Sequence, residues 1–274
     1  VAATPTPEPI APAFLPQRGA GGGRARATGR RAGLALVGAG LTVVLWWLVT
    51  AVLPADDAML VRFGPGPAFA ALVELVGGGV LAPHALDSLR RLAGGLAIAA
   101  ALGVPAGLLI GLVSTVHQAA GPVLQFARMI SPLSWAPVAI IAFGVGDGPV
   151  VFLIAVAAVW PLLMNTVAGV GELEPGWPMV ARSLGASRWE VVRHVVVPGV
   201  RPHVRTGSRV AVGIAWVVLV PAEMLGVDSG LGYYVLDSRD RLAYDDLTAT
   251  ILVIGALGFV IDALTQRLTA SRRG

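Results

Sequence analysis

Residues 176–205 read GWPMVARSLGASRWEVVRHVVVPGVRPHVR, and this stretch decides how the rest of the chain is organised. It places Arg182, Arg188, Arg193, Arg201 and Arg205, with His194 and His203, between two long apolar segments. Lipid cannot satisfy so polar a connection, so it must lie in water. The pattern predicts a short helical core from Val180 to Ser187. An amphipathic helix follows and stops at Pro198, because proline removes a backbone donor and clashes with the preceding turn. A compact basic element between two spans reads as a docking element for a partner.

The composition agrees with a membrane setting. The chain of 274 residues is 55% hydrophobic and only 13% charged, where a soluble domain carries roughly 25% charge. Its mean hydropathy is +0.76. Several apolar runs approach or exceed the roughly 20 residues that cross a bilayer. They are rich in Ala, Val, Leu and Gly and lack the alternation of barrel strands, so the spans are helices. The fold class is an all-α, polytopic integral membrane protein. With no cysteine, disulfide and thiol chemistry are excluded. All 20 basic residues are arginine. A phosphate-binding P-loop needs a lysine, so this chain does not bind ATP in that manner, and Schiff-base chemistry is excluded too.

Residues 1–33 are rich in Pro, Ala and Gly without a periodic apolar face, which reads as a disordered cytoplasmic tail. The first span is expected over about Leu34–Leu53, ended by Pro54, Asp56 and Asp57. It is too long for a cleaved leader and has no clear cleavage site. Between Gly64 and Asp87 the stretch AFAALVELV fits a short surface helix. Further spans are expected over about Ser88–Val113, Gly121–Val145 (broken at Pro132 and Pro137), Pro149–Val170, Gly207–Val227 and Leu247–Leu264. That makes six, in a membrane domain of residues 34–266 with a loop at 171–206 and a short tail at 267–274.

Arginine counts orient these spans. With six, both termini and the 171–206 loop share one side. That side holds Arg18, Arg24, Arg26, Arg30, Arg31, Arg182, Arg188, Arg193, Arg201, Arg205, Arg267, Arg272 and Arg273. The other holds Arg62, Arg239 and Arg241, with Arg90 and Arg91 near its boundary. The first side is therefore cytoplasmic.

Within the basic loop, Met179-Val180-Ala181 is followed after three residues by Gly185. Nine residues later come Val195, Val197 and Pro198. This spacing resembles the cytoplasmic motif of permeases of binding-protein-dependent ABC importers: EAA, three residues, Gly, nine residues, Ile-x-Leu-Pro. The final Ala, the Gly and the Pro match. Met179 stands where the family has Glu, and no contact made by that carboxylate carries over. Further blocks share the order and spacing of the nitrate, taurine and aliphatic sulfonate subgroup. They are HALDSLRRL at 84–92, GVPAGLLIGL at 103–112, SPLSWAPVAIIAFGVGDG at 131–148, ARSLGAS at 181–187, GIAWVVLVPAEM at 213–224 and GLGYYV at 230–235. The resemblance covers about residues 50–265.

The resemblance implies a type I ABC importer permease fold and three kinds of partner. These are a dimer of ATPase subunits holding ATP and Mg, an extracytoplasmic substrate-binding protein, and a second permease subunit, as a homodimer. No cofactor is expected on this chain, nor any nucleic-acid partner. The element coupling to the ATPase would comprise Val180, Ala181, Arg182, Ser183, Leu184, Gly185, Ala186 and Ser187, with Pro198 closing the following helix. Ala181, Leu184 and Ala186 are expected to offer small or apolar contacts to a groove on the ATPase. A loop that only fixes topology is the plainer alternative.

Charges inside a bilayer are costly, about 2.5–3.5 kcal/mol at the centre on insertion scales, so they usually face protein or water. Arg128 either lines an anion-accepting path or snorkels to the headgroups. Glu223 either braces a gate or helix contact or does the same at the other face. Trp135 and Asn165 are further path candidates, beside Trp160 and Trp216, although span tryptophans are more often anchors or packing. Gly103, Gly107 and Gly111 form a ladder suited to close helix packing. The four histidines have no metal-ligand spacing and no catalytic triad is present.

The expected function is the membrane subunit of an ATP-driven importer for a small oxyanion or sulfonate. It would sit in a bacterial inner membrane and perform no bond chemistry itself. An ion-gradient-driven secondary transporter is the rival; it would place its site between repeats, and no inverted repeat is visible. A membrane enzyme would need converging His/Asp/Glu clusters.

Overall fold

The computed structural model describes residues 33–34, 37–52 and 61–270. All but the last residue of the expected tail over 1–33, the stop signals Pro54, Asp56 and Asp57, and Arg272 and Arg273 lie outside the described residues. Two units divide at Val61 and Arg62. In the first, α1 runs over Val37–Thr50 and ends in a π-turn at Leu48–Val52. Thr50 Oγ1 donates to the Trp46 carbonyl at 2.9 Å. Leu41 and Leu45 face outward, as an apolar helix presents to lipid.

The second unit has helices joined by turns and no strand among its described residues. It contains α2 (Pro65–Gly77), α3 (Leu81–Leu112), α4 (Ser114–Ala127), a 3₁₀ turn at Pro132–Trp135, α5 (Ala136–Phe143) and α6 (Asp147–Gly171). Next come α7 (Gly176–Ser183), α8 (Arg188–Glu223), α9 (Leu231–Asp240) and α10 (Tyr244–Ala270). Among the described residues four helices are long and apolar enough to span a bilayer: α3, α6, α8 and α10. The pair α4 and Pro132–Phe143, bent by 86°, makes a fifth. Four of the expected spans are thus continuous helices and a fifth is the bent pair; α1 falls within the first expected span, Leu34–Leu53, part of which lies outside the described residues. The bend falls where Pro132 and Pro137 remove helix donors, as the sequence predicts.

Two boundaries differ from expectation for a stated reason. α3 starts at Leu81, so His84, Ser88 and Arg91 lie within it. Pro198 does not end a helix. The backbone widens into a π-segment at Val192–Val196, where Val197 N–H reaches back to the Val192 carbonyl. Pro198 then occupies the first turn of the following α segment, where its missing donor costs little. The basic loop's second helix and the fifth span are therefore one helix of 36 residues.

α6 lies between α3 and α8. Their shared core contains Leu92 and Ala99 from α3, Leu153, Ile154, Ala158 and Leu162 from α6, and Ala211, Ala215 and Leu219 from α8. Glycines set the spacing. A Cβ on Gly107 would lie 2.6 Å from Thr166 Cβ and 2.8 Å from the Leu163 carbonyl. Gly103 and Gly111 meet Val159 and Val170 in the same way. The ladder thus packs on α6 of the same chain. A second cluster joins α2, α9 and α10 through Leu75, Leu231, Tyr234 and Ala249, with Trp216 of α8 packed against it.

Candidate functional site: a docking loop and a buried ion cluster

The docking loop hangs between α6 and α8. The helix here is Gly176–Ser183, four residues upstream of the expected Val180–Ser187. Pro178 sits in its first turn, a position proline tolerates. Leu184 caps it, and Gly185 follows at φ +89°. Gly185 N–H donates to the Arg182 carbonyl at 2.9 Å and Ala186 N–H to the Ala181 carbonyl at 3.1 Å. This pair of bonds is a Schellman turn, which needs a residue in the left-handed region. Ser187 then opens α8 with a reciprocal capping box. Its hydroxyl accepts from Glu190 N–H at 3.3 Å, and its own N–H donates to Glu190 Oε2 at 2.7 Å. Ser187→Ala is expected to lower stability by about 1 kcal/mol, read as a small Tm loss.

Val191, Val196 and Val200 form a buried knot under the loop, with Leu108 of α3 and Val170 of α6 packed on it. Ala181 and Ala186 also pack on this knot and are half-buried. Two of the three residues expected to meet a partner thus face the chain's own core, because the Schellman turn folds them back. The outward residues are Trp177, Met179, Val180, Leu184 and Trp189, with Arg182 and Ser183 beside them. Leu184 is 83% exposed and Met179 67%. Met179, in place of the motif's Glu, extends this apolar face. His203 Nε2 lies 3.0 Å from Glu172 Oε2, tying α8 to the end of α6.

At the other end of the long helices lies a cluster that sequence reading assembled only in part. His84, Ser88 and Arg91 stand at i, i+4 and i+7, one face of α3. Glu223 closes α8 and is fully buried; Arg91 is 5% exposed. Arg91 Nη1 donates to Glu223 Oε1 at 2.8 Å and to the Ser229 carbonyl at 2.7 Å. Its Nη2 donates to Ser229 Oγ at 2.7 Å and its Nε to Asp147 Oδ1 at 2.6 Å. The Ser88 hydroxyl lies 2.9 Å from both Glu223 oxygens.

The backbone is drawn in as well. Leu231 N–H donates to Ser88 Oγ at 2.9 Å, Gly232 N–H to Glu223 Oε2 at 2.9 Å, and Gly230 N–H to His84 Nδ1 at 3.1 Å. Gly230 has φ +106°, and a Cβ there would collide with the Glu223 carboxylate and Arg91. The first donors of α9, which no α9 carbonyl can satisfy, are thus met by side chains of α3 and α8.

The remaining candidates are dispersed. Arg128 is exposed at the bend after α4 and Trp135 is exposed in the 3₁₀ turn. Asn165 donates to the Pro161 carbonyl at 2.8 Å and sits in the α6–α8 seam against Gly207. Among the described residues no hydrogen bond or ion pair links Arg128, Trp135, Asn165 and Glu223 to one another. Arg91, which arginine counting set at the boundary, is instead the centre of the buried cluster. The readable signal was the i, i+4, i+7 set of polar residues at the head of an otherwise apolar helix.

The arrangement matches known folds. The MetNI methionine ABC transporter in an inward-facing conformation superposes with a TM-score of 0.58 at 15% identity, covering 67% of this chain and 92% of that one. An amino acid ABC transporter with histidines gives 0.52 at 18% identity, covering 72% and 94%. The bundle therefore has the fold of the membrane components of ABC importers. The chain belongs to the family of binding-protein-dependent transport system inner membrane components, whose pattern it matches over residues 103–274. It is 37% identical over 179 residues to the bicarbonate transport system permease protein CmpB of Synechococcus elongatus, covering 65% of this chain and 64% of that one. It is 36% identical over 190 residues to the taurine transport system permease protein TauC of Escherichia coli, covering 68% and 69%. It is 33% identical over 177 residues to the nitrate import permease protein NrtB of Leptolyngbya laminosa, covering 65% and 63%. The matched region thus spans just under two thirds of the bicarbonate and nitrate permeases.

Proposed function

We propose that this chain is the membrane-spanning subunit of an ATP-driven importer for a small oxyanion or sulfonate. It sits in a bacterial cytoplasmic membrane with the docking loop and both termini in the cytoplasm. It pairs with a second permease subunit, a dimer of ATPase subunits and an extracytoplasmic binding protein. The chain carries no lysine and so no P-loop; ATP and Mg belong to the partner, and this chain catalyses no bond change. Family membership and relatives named for bicarbonate, nitrate and taurine support the reading.

One structural observation carries the coupling step. A short helix, closed by a left-handed glycine, stands with its apolar face outward at the foot of α6 and α8, and its inner face packs on the valine knot. A push on the outer face at Val180 and Leu184 passes through Ala181 and Ala186 into Val191, Val196 and Val200. Closure of the ATPase dimer draws two such elements together, and the spans exchange inward-facing for outward-facing states. The path candidates Arg128, Trp135 and Asn165 are proposed to meet the anion on its way.

Gly185→Val tests the coupling step. A Cβ at Gly185 meets open space, so the cost is backbone strain alone, about 1–2 kcal/mol for an L-residue in the left-handed region. The bundle is expected to fold and the loop to lose its shape. In proteoliposomes carrying the ATPase and binding protein, ATP-dependent uptake of labelled bicarbonate, nitrate or taurine should drop about tenfold, within the usual range of one coupling energy. Wild-type uptake and wild-type co-purification with the ATPase would remove the loop from the coupling route.

A further inference from the structure

The ion cluster holds a polar segment to the far end of the same helix that begins in the docking loop. α8 runs without a break from Arg188 to Glu223, 36 residues, or roughly 54 Å at the α-helical rise. Its first turn is locked to the loop by the Ser187–Glu190 capping box. Its last residue, Glu223, accepts the Gly232 N–H of α9. Arg91 then binds three elements at once: Asp147 at the head of α6, Glu223 at the tail of α8, and Ser229 ahead of α9. A second bond, from Gly146 N–H to the Gly226 carbonyl at 3.0 Å, ties the same two helix ends. α4, by contrast, buries no residue, and the chain beyond it turns by 86°.

We infer that Arg91 is a positioning residue for transport: with Glu223, Ser88 and His84 it fixes the 229–240 segment to α3, α6 and α8 as one rigid body. Displacement that enters at the docking loop then reaches the opposite face undiminished, and relative motion is left to α4, which buries no residue. The inference rests on the reading of the docking loop as the point where force enters. The chemistry suits the task. Arginine presents donors in a fixed planar fork, which here engages two carboxylates, a hydroxyl and a carbonyl in different directions. Lysine keeps the charge and cannot hold that geometry.

Two measurements test it. In the assembled transporter, Arg91→Lys should still co-purify with the ATPase, while uptake per ATP hydrolysed falls about tenfold. A wild-type ratio would overturn the assignment. The second measurement needs no variant of the cluster. The chain has no cysteine, so nitroxide labels can be placed through Arg90→Cys on α3 and Asp240→Cys on α9, both exposed sites. The distance between them should stay narrow and unchanged between nucleotide-free and ATP-bound complexes. A second pair, Arg90→Cys with Val123→Cys on the exposed face of α4, should shift. A shift in the 90–240 pair would show that the cluster opens during the cycle and would sink the rigid-body assignment, even where Arg91→Lys fails to accumulate. Failure of the transport reading looks different: the unmutated complex would take up none of the three solutes, while the 90–240 distance would still report on the cluster.

Discussion

Replacing Glu223 with alanine should lower the stability of the purified protein by about 3–5 kcal/mol, the cost of breaking a buried ion pair from one side. For a chain of this size that is a Tm loss on the order of 10 °C. The reason lies in what stays behind. Arg91 keeps Asp147 and Ser229, but its 5%-exposed guanidinium loses the partner at 2.8 Å. The Ser88 hydroxyl loses both carboxylate oxygens. Gly232 N–H, an early donor of α9, loses its carboxylate acceptor. Unmade bonds at buried polar groups cost about 1–3 kcal/mol each. The double variant Arg91→Met/Glu223→Ala should recover part of the loss, since removing both charges leaves no unpaired ion. Thermal unfolding of the single and double variants in one detergent, followed by loss of helical circular dichroism, reads the difference. Equal Tm values for wild type and Glu223→Ala would show that the cluster does not hold the fold.

How much of this was legible in the sequence depends on the range over which the deciding force acts. The long apolar helices were legible because hydropathy is summed over a window. The bend after α4 was legible because Pro132 and Pro137 act locally. Pro198 carries the same local signal, yet α8 runs through it. There Val196 and Val200 are buried against Leu108 and Val170, and burial at both flanks holds one axis while a π-segment absorbs the proline. That is a tertiary decision, which local propensity does not record. The docking helix begins four residues before the expected start and includes Pro178 in its first turn, where a proline has no helix bond to lose.

The ion cluster divides in the same way. Glu223 stood out because a carboxylate inside an apolar run is costly anywhere. Its partner did not, because the bond joins residues 132 apart in the chain. Arg91 therefore fell in with Arg90 as a topology signal, although Arg90 is exposed and pairs with Asp87 in its own helix. Two adjacent arginines of the same type thus have unrelated roles, separated only by the 100° turn between neighbouring helix positions. The same turn separates Ala181, which faces the knot, from Arg182, which faces outward.

Gly107→Val should have an effect of comparable size, by a different route. Gly107 lies on the face of α3 that meets α6, where even a Cβ would sit 2.6 Å from Thr166 Cβ and 2.8 Å from the Leu163 carbonyl. One of those neighbours is backbone, so no rotamer change relieves the contact. Nor can α6 retreat as a whole. On its far side a Cβ on Gly207 of α8 would lie 2.9 Å from the Pro161 carbonyl and 2.9 Å from Asn165 Cβ. α6 is thus held at glycine spacing on both faces, and an added side chain must part α3 from α6 along the ladder. Overpacking of this kind costs about 1–3 kcal/mol and occasionally more, and valine, with two γ-carbons, belongs at or above the top of that range. Gly107→Ala isolates the first carbon: alanine gains about 1 kcal/mol in helix propensity over glycine, which offsets part of the clash, so a smaller loss is expected. Gly213→Ala on α8 is the control, because a Cβ there meets nothing within 4 Å; its Tm should hold or rise. The order expected in thermal unfolding is Gly213→Ala at or above wild type, then Gly107→Ala, then Gly107→Val well below. If Gly107→Val unfolds with the wild type, α3 and α6 do not pack through the ladder, and the rigid body that joins the docking loop to the Arg91 cluster loses its middle.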